Sequence, residues 1–257
     1  MVQGLEKFKE FFAGFEESYI VIGGTACDLI LSDAGLTPRA TKDIDIILVV
    51  EALSKEFGEK FWEFIEAGGY QQRERSPEKL EYFRFLKPSN TDFPKQLELF
   101  ARTPDTFDLP PEAQLSPIPV DDDITSLSAI LMDEAYYRLT IAQSTSEEGL
   151  HLANTLALII LKAKAFLDLS ERAANGEQID KRKIAKHKTD VFRLALLLTE
   201  NDSLALPEAI QTDMKQFLEI VKGDLPDKEL FKALGAGPVD AKPLVDLIRK
   251  TFNLHGQ

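Results

Sequence analysis

Two short motifs, separated by a helical pattern, dominate the first 50 residues of this chain. The apolar run Tyr19–Ile22 leads into Gly23 and Gly24, and a second apolar run opens with Asp43 and Asp45. Alternate residues of a β-strand point to the same face, so the two aspartates are expected side by side while the isoleucine between them faces the core. Neighbouring carboxylates repel each other, and a hard divalent cation such as Mg²⁺ neutralises them. The pattern therefore predicts a metal site at the start of the second strand.

The glycine pair adds a predicted phosphate site. Gly23 and Gly24 let the backbone approach a phosphate closely and offer it main-chain N–H groups, with Thr25 beside them. A tight strand-to-helix turn also needs glycine, so the structural interpretation stays open. Arg39 and Thr41 precede the acidic pair and are candidates for phosphate contact, although Arg39 serves equally well in an ion pair with a surface carboxylate. Together the two motifs predict metal-dependent chemistry on a nucleoside triphosphate.

A third carboxylate is expected from a neighbouring strand, since two-metal sites normally use one. Glu98 alternates with Leu97 and Leu99, which predicts that it lies on the face opposite to these leucines. We therefore predict Glu98 as a third metal ligand. The alternative is an ordinary solvent-facing glutamate on an edge strand, and Asp92 and Glu81 are weaker candidates for the same role.

The order of local patterns predicts an α+β fold. Strands are expected at 70–75, 80–86 and 96–101, with an N-capped helix at 54–67, an irregular connection at 103–119 and an apolar run at 126–132 that returns to the sheet. From about residue 154 one helical pattern follows another. The predicted domains are therefore an α/β domain over 1–150 and an all-α domain over 151–257.

Two lysines enter the first long helix of the second half. Lys162 and Lys164 lie in a stretch otherwise built from Leu, Ile, Ala and Phe, and lysines are rarely buried without a phosphate or carboxylate to meet. Lys164 can also pair with Asp168 one helical turn later. A basic turn at 186–188 precedes Asp190 on the next helix and is more typical of a solvated surface.

Composition narrows the possible partners. The formal net charge of −13 argues against broad, nonspecific nucleic-acid binding. Cys27 is the sole cysteine, so neither an intramolecular disulfide nor a cysteine-based zinc site is available. The amphipathic N-terminus does not have the pattern of a signal peptide, and the most apolar run is too short to span a bilayer. A cytoplasmic protein without membrane contact is expected.

The two motifs and the later helices resemble minimal nucleotidyltransferases with the DNA polymerase β-like fold, most closely the AbiEii/AbiGii toxin-type family. The similarity rests on residues 22–26, 39–45, 161–169 and 186–194. The chain departs from the family pattern in one respect. Eighteen residues separate Gly24 from Asp43, several more than the compact family motif has.

The resemblance implies a nucleotidyltransferase-type mixed sheet flanked by helices. It also implies transfer of a nucleoside monophosphate from an NTP to an acceptor, dependent on Mg²⁺ or Mn²⁺. The implied metal ligands are Asp43, Asp45 and Glu98, and the other implied catalytic residues are Lys162 and Asp190. The implied nucleotide-binding residues are Gly23, Gly24, Thr25, Arg39, Thr41 and Lys164, with the choice between Lys162 and Lys164 as the phosphate contact left open. Family members act as toxins of toxin–antitoxin or phage-defence pairs, some by adding nucleotides to tRNA 3′ ends, so a tRNA acceptor and a cognate antitoxin protein are expected partners.

Two other classes of protein share parts of this pattern. A glycosyltransferase can use Asp-x-Asp to hold a metal on a nucleotide-sugar, but it gives no special role to the glycine pair or to Glu98. A catalytically silent binding protein with the same fold is the second alternative. The intact carboxylates argue against it, because clustered like charges bring no benefit without a cation to bind.

Overall fold

The computed structural model describes residues 2–38, 43–49, 52–75, 81–101, 116–117, 130–131 and 133–254. The main α-helices within these residues are α1 (Leu5–Phe12), α2 (Gly23–Asp33), α3 (Lys55–Gly68), α4 (Glu134–Ala142), α5 (Thr155–Ala174), α6 (Lys181–Ala195), α7 (Glu208–Val221), α8 (Lys228–Ala233) and α9 (Ala241–Thr251). The strands are β1 (Tyr19–Ile22), β2 (Asp43–Leu48), β3 (Tyr70–Arg75), β4 (Glu81–Pro88), β5 (Gln96–Ala101), β6 (Ser116–Pro117), β7 (Ser144–Glu147) and β8 (Leu150–Ala153).

The strands form one mixed sheet with the order β6-β3-β4-β5-β2-β1-β8-β7. The pairs β2/β5, β1/β8 and β3/β6 are parallel, and the other neighbours are antiparallel. Helices follow the sheet from Thr155 onwards. The predicted α+β class, with a mixed sheet flanked by helices and then an all-α segment, is confirmed.

The central strands owe their position to their apolar residues. All four residues of β1 are buried, as expected for a strand covered on both faces. In β2, Ile44 and Ile46 are fully buried while Asp43 and Asp45 are half-buried. The predicted alternation of this strand is therefore confirmed.

Aromatic side chains attach α1 and α3 to the sheet. The ring of Phe8 on α1 meets Tyr19 of β1 edge-on at 5.2 Å, and Phe61 on α3 meets Phe85 of β4 at 5.7 Å. Helix α3 begins as predicted, because the Ser54 hydroxyl accepts a hydrogen bond from a main-chain N–H of the first turn. The ring contacts therefore join α1 to β1 and α3 to β4.

Two parts of the fold differ from the sequence expectations. The β7–β8 hairpin was not predicted. Its strand β7 carries only polar residues, which are half-buried or exposed, and it forms by pairing with β8. The run at 126–132 was expected to be a strand, but Ile130 and Leu131 are helical and buried, and the rest of the run lies outside the described residues. The irregular connection expected at 103–119 also lies outside them, except for β6.

The chain divides into two compact units that interleave along the sequence. Unit 1 consists of Met1–Asp28, Arg39–Asp121 and Ile141–Ala153 and contains the sheet. Unit 2 consists of Leu29–Pro38, Asp122–Thr140 and Asn154–Gln257 and contains α5 to α9.

Candidate active site

Three carboxylates lie on one face of the sheet in unit 1. The parallel register of β2 and β5 pairs Asp43 with Gln96 and Asp45 with Glu98. Residues in register on neighbouring strands present their side chains to the same face, at a spacing of about 5 Å. The structure thus brings together the three acidic residues that the sequence analysis grouped.

Gly23 borders the acidic residues on the β1 side. In the antiparallel register of β1 and β2, Ile22 pairs with Asp45, and Gly23 follows with a φ of +69° at the start of α2. A Cβ at this position would overlap the Oδ2 atom of Asp45. The Asp45 carboxylate therefore lies against the N-terminal end of α2, whose partial positive charge favours a negative group there.

Thr25 fixes the start of β2. It is fully buried, and its hydroxyl donates a hydrogen bond of 2.5 Å to the main-chain carbonyl of Asp43. The hydroxyl hydrogen is therefore engaged within the fold. A phosphate contact by Thr25, as expected from the sequence, would come from its main-chain N–H.

Glu98 has two donors that the sequence analysis did not identify. The Nε of Arg84, its register partner on β4, donates to Glu98 Oε1 at 3.0 Å, and Gln96 Nε2 donates to the same oxygen at 2.6 Å. Glu98 is 7% exposed and the Arg84 side chain 11%. The sequence signal for Arg84 was a single cation within a strand that is otherwise apolar from Phe83 to Leu86.

The fit of this face to a divalent cation depends on its oxygen donors. Asp43 and Asp45 provide the carboxylate oxygens that Mg²⁺ and Mn²⁺ prefer, and both are half-buried on one face. Across the part of the chain that the structure describes, no group of three His, Cys, Asp or Glu side chains is arranged to hold a metal ion. The face therefore fits a cation through the two aspartates. Arg39 and Thr41 lie outside the described residues.

A separate charged cluster lies within unit 2. Lys162 on α5 is buried, and its Nζ lies 3.5 Å from Asp190 Oδ2 on α6. Arg193 Nη1 lies 3.3 Å from the other oxygen of Asp190. The structure thus brings together the predicted pair Lys162 and Asp190 and adds Arg193 to it. A buried charge is tolerated when it is paired in this way.

Lys164 belongs to a different cluster. Its Nζ donates to Asp213 Oδ2 at 2.8 Å, and the Tyr136 hydroxyl donates to the same oxygen at 2.7 Å. The alternative pairing of Lys164 with Asp168 is wrong, because Lys164 pairs with Asp213 on α7. Oδ2 of Asp168 lies 4.0 Å from Nη1 of Arg172 instead. Burial, and then the bond to Asp213, raises the pKa of Tyr136.

No model of a known protein family matches the sequence, and no curated protein sequence matches it either. A solved structure with some similarity is that of an antigenic nucleotidyltransferase-like protein from Paracoccidioides brasiliensis, at 16% identity and a TM-score of 0.43, over 93% of this chain and 95% of that chain. Similarity of this degree establishes neither fold nor function, so the expected membership of the AbiEii/AbiGii family stays a prediction.

Within the described residues, no helix is both long enough and apolar enough to cross a membrane.

Proposed function

We propose that this chain is a nucleotidyltransferase, which moves a nucleoside monophosphate from an NTP to an acceptor hydroxyl. The observation that carries the proposal is the contact between the two sequence motifs: the Asp45 carboxylate lies against Gly23, at the start of α2. A carboxylate pair for a cation and a glycine-led helix start for phosphates are the two parts that this reaction requires.

Asp43 and Asp45 would hold Mg²⁺ or Mn²⁺. When bound, such a cation neutralises phosphate charge and makes the acceptor hydroxyl easier to deprotonate. Gly23 and Gly24 would present main-chain N–H groups to the phosphates of the NTP. Thr25 would keep Asp43 in place through its bond to the Asp43 carbonyl.

The family resemblance assigns a phosphate contact to Lys162 and a supporting role to Asp190, and both roles are part of the proposal. Lys162 and Arg193 both pair with Asp190, so two cations lie beside this buried carboxylate. Preorganised charge of this kind stabilises the charge that develops on phosphates during transfer. Lys164 suits the role less well, because it already donates to Asp213. The Tyr136 hydroxyl donates to the same oxygen of Asp213.

The charges on the helical segment favour one kind of acceptor over another. Arg172 pairs with Glu177, Arg182 with Asp180 and Lys188 with Asp224, and the whole chain has a net charge of −13.

Cations that are neutralised in this way offer little attraction to a long polyanion. We therefore favour a protein or small-molecule acceptor over tRNA, which the family resemblance suggests. A toxin role is part of the proposal on the strength of that resemblance, and a basic antitoxin would suit the acidic surface.

A second candidate function is a nucleotidyltransferase-like protein that binds nucleotides without transferring them. The ion pair between Arg84 and Glu98 favours it, because it neutralises the carboxylate that was expected to complete the metal site. Both candidate functions include nucleotide binding, but only the first includes nucleotidyl transfer.

Labelled nucleotides separate the two functions. The protein is incubated with Mg²⁺, each NTP labelled at the α- or the γ-phosphate, and either total tRNA or a protein extract. Nucleotidyl transfer attaches the α-label to an acceptor and releases the γ-label as pyrophosphate. Asp45→Asn should abolish the transfer while leaving the circular dichroism spectrum unchanged. Nucleotide binding without transfer of either label would favour the silent protein.

A further inference from the structure

We propose that Glu98 is not a ligand of the cation but the fixed partner of Arg84. On this view, the cation-binding carboxylates are Asp43 and Asp45 alone. The inference rests on the proposed function, because it concerns the division of labour within the same site. It revises the role that the sequence analysis predicted for Glu98.

Three charged residues form a row across adjacent strands. Asp45 on β2 is in register with Glu98 on β5, and Glu98 is in register with Arg84 on β4. Glu98 therefore lies between a carboxylate on one side and a guanidinium on the other. Electrostatics alone favours its pairing with Arg84, because an opposite charge attracts it and Asp45 repels it.

The two carboxylates engage opposite neighbours. Oδ2 of Asp45 lies against Gly23, which follows β1, on the side of β2 away from β5. Oε1 of Glu98 accepts its bond from Arg84 on β4, on the side of β5 away from β2. This divergence explains why adjacent acidic residues do not form a three-ligand cluster within the described parts of the chain.

Recruiting Glu98 to a cation would be costly. Use of Oε1 as a ligand would require this oxygen to leave Arg84 and Gln96, which both donate to it. Arg84, with a side chain only 11% exposed, would then lose its ion pair with Glu98. Breaking a buried ion pair by withdrawing one partner is far more costly than the pair itself is worth.

A charge-balanced double variant tests the proposal through cation affinity alone. Electron paramagnetic resonance measures Mn²⁺ binding to the wild type, Glu98→Gln, Arg84→Gln and the double variant, with circular dichroism as a check of folding. Glu98→Gln should weaken Mn²⁺ binding by roughly tenfold, since Arg84 then repels the cation. Arg84→Gln should tighten binding, and the double variant should bind within about threefold of the wild type, because the net charge is restored.

A direct ligand role for Glu98 predicts another pattern. In that case the double variant would bind Mn²⁺ as weakly as Glu98→Gln does, and the inference would be overturned while the proposed function stood. If the wild type did not bind Mn²⁺, or if Asp43→Asn/Asp45→Asn bound it equally well, both proposals would fail. If a single variant does not fold, the comparison of the double variant with the wild type decides between the two roles of Glu98. If the double variant does not fold either, Arg84→Met/Glu98→Leu takes its place in that comparison.

Discussion

The carboxylate of Asp45 lies where any residue other than glycine at position 23 would carry its Cβ. This contact joins the two motifs of the N-terminal sequence, which are separated by the whole of α2. Position 23 needs glycine for a second reason, since its φ of +69° is unfavourable for side chains. The steric and conformational requirements can be separated by experiment.

Gly23→Ala is expected to impair cation binding as well as stability. The new Cβ would displace the Asp45 carboxylate, so Mn²⁺ affinity should fall by about tenfold or more, as for a loss of ligand positioning. Gly149→Ala is the matched control, because Gly149 has a φ of +78° but open space around it. That variant should lose about 1 kcal/mol of stability and bind Mn²⁺ like the wild type. Equal Mn²⁺ affinity in the two variants would contradict the proposed role of the contact.

Lys162→Met should be strongly destabilising. Its ion pair with Asp190 is buried, with side chains 8% and 3% exposed, so removing the cation should cost about 3 kcal/mol in urea unfolding. Lys232→Met is the control, because its pair with Glu229 is largely exposed and should be worth less than about 0.5 kcal/mol. Similar effects of both substitutions would show that the pair of Lys162 and Asp190 has no special structural weight.

Tyr136→Phe should alter the dependence of stability on pH. Burial and the bond to Asp213 raise the pKa of Tyr136 in the folded state, whereas the unfolded chain ionises near the ordinary value of about 10. The contribution of this tyrosine is therefore fully present below pH 10 and is lost as the pH rises further.

Urea unfolding at pH 7 and pH 11 checks this expectation. At pH 7 the variant should be less stable than the wild type by about 1 kcal/mol, because it lacks the hydrogen bond to Asp213. At pH 11 the difference should shrink or reverse. A difference that stayed constant or widened would contradict the assigned cause of the pKa shift.

The central strands could be predicted because each has a strong local pattern. Tyr19–Ile22 and Gln96–Ala101 have the predicted bounds, and the cap at Ser54 and the stop at Gly69 were both recognisable from residue type. β7 could not be predicted, since none of its residues is apolar and its strand character comes from pairing with β8. The helical Ile130 and Leu131 belong to an apolar run too short to distinguish helix from strand.

The acidic site was predictable only in part. The alternation of apolar and acidic residues was enough to group Asp45 and Glu98 on one face. The pairing of Glu98 with Arg84 depends on the register of β4 against β5, which no local pattern specifies. The same limit applies to Lys164, whose partner Asp213 is 49 residues away.

Calorimetric titration with non-hydrolysable analogues of the four NTPs tests the central claim most directly. Each analogue is titrated, with and without Mg²⁺, into the wild type, Asp43→Asn/Asp45→Asn and Asp92→Asn, a control at an exposed aspartate of unit 1. The account predicts that at least one analogue binds only with Mg²⁺, that the double variant loses this binding and that Asp92→Asn retains it. Mg²⁺-dependent binding of a nucleotide-sugar alone would favour a glycosyltransferase instead. The account would be contradicted if no analogue bound, or if the double variant kept the binding.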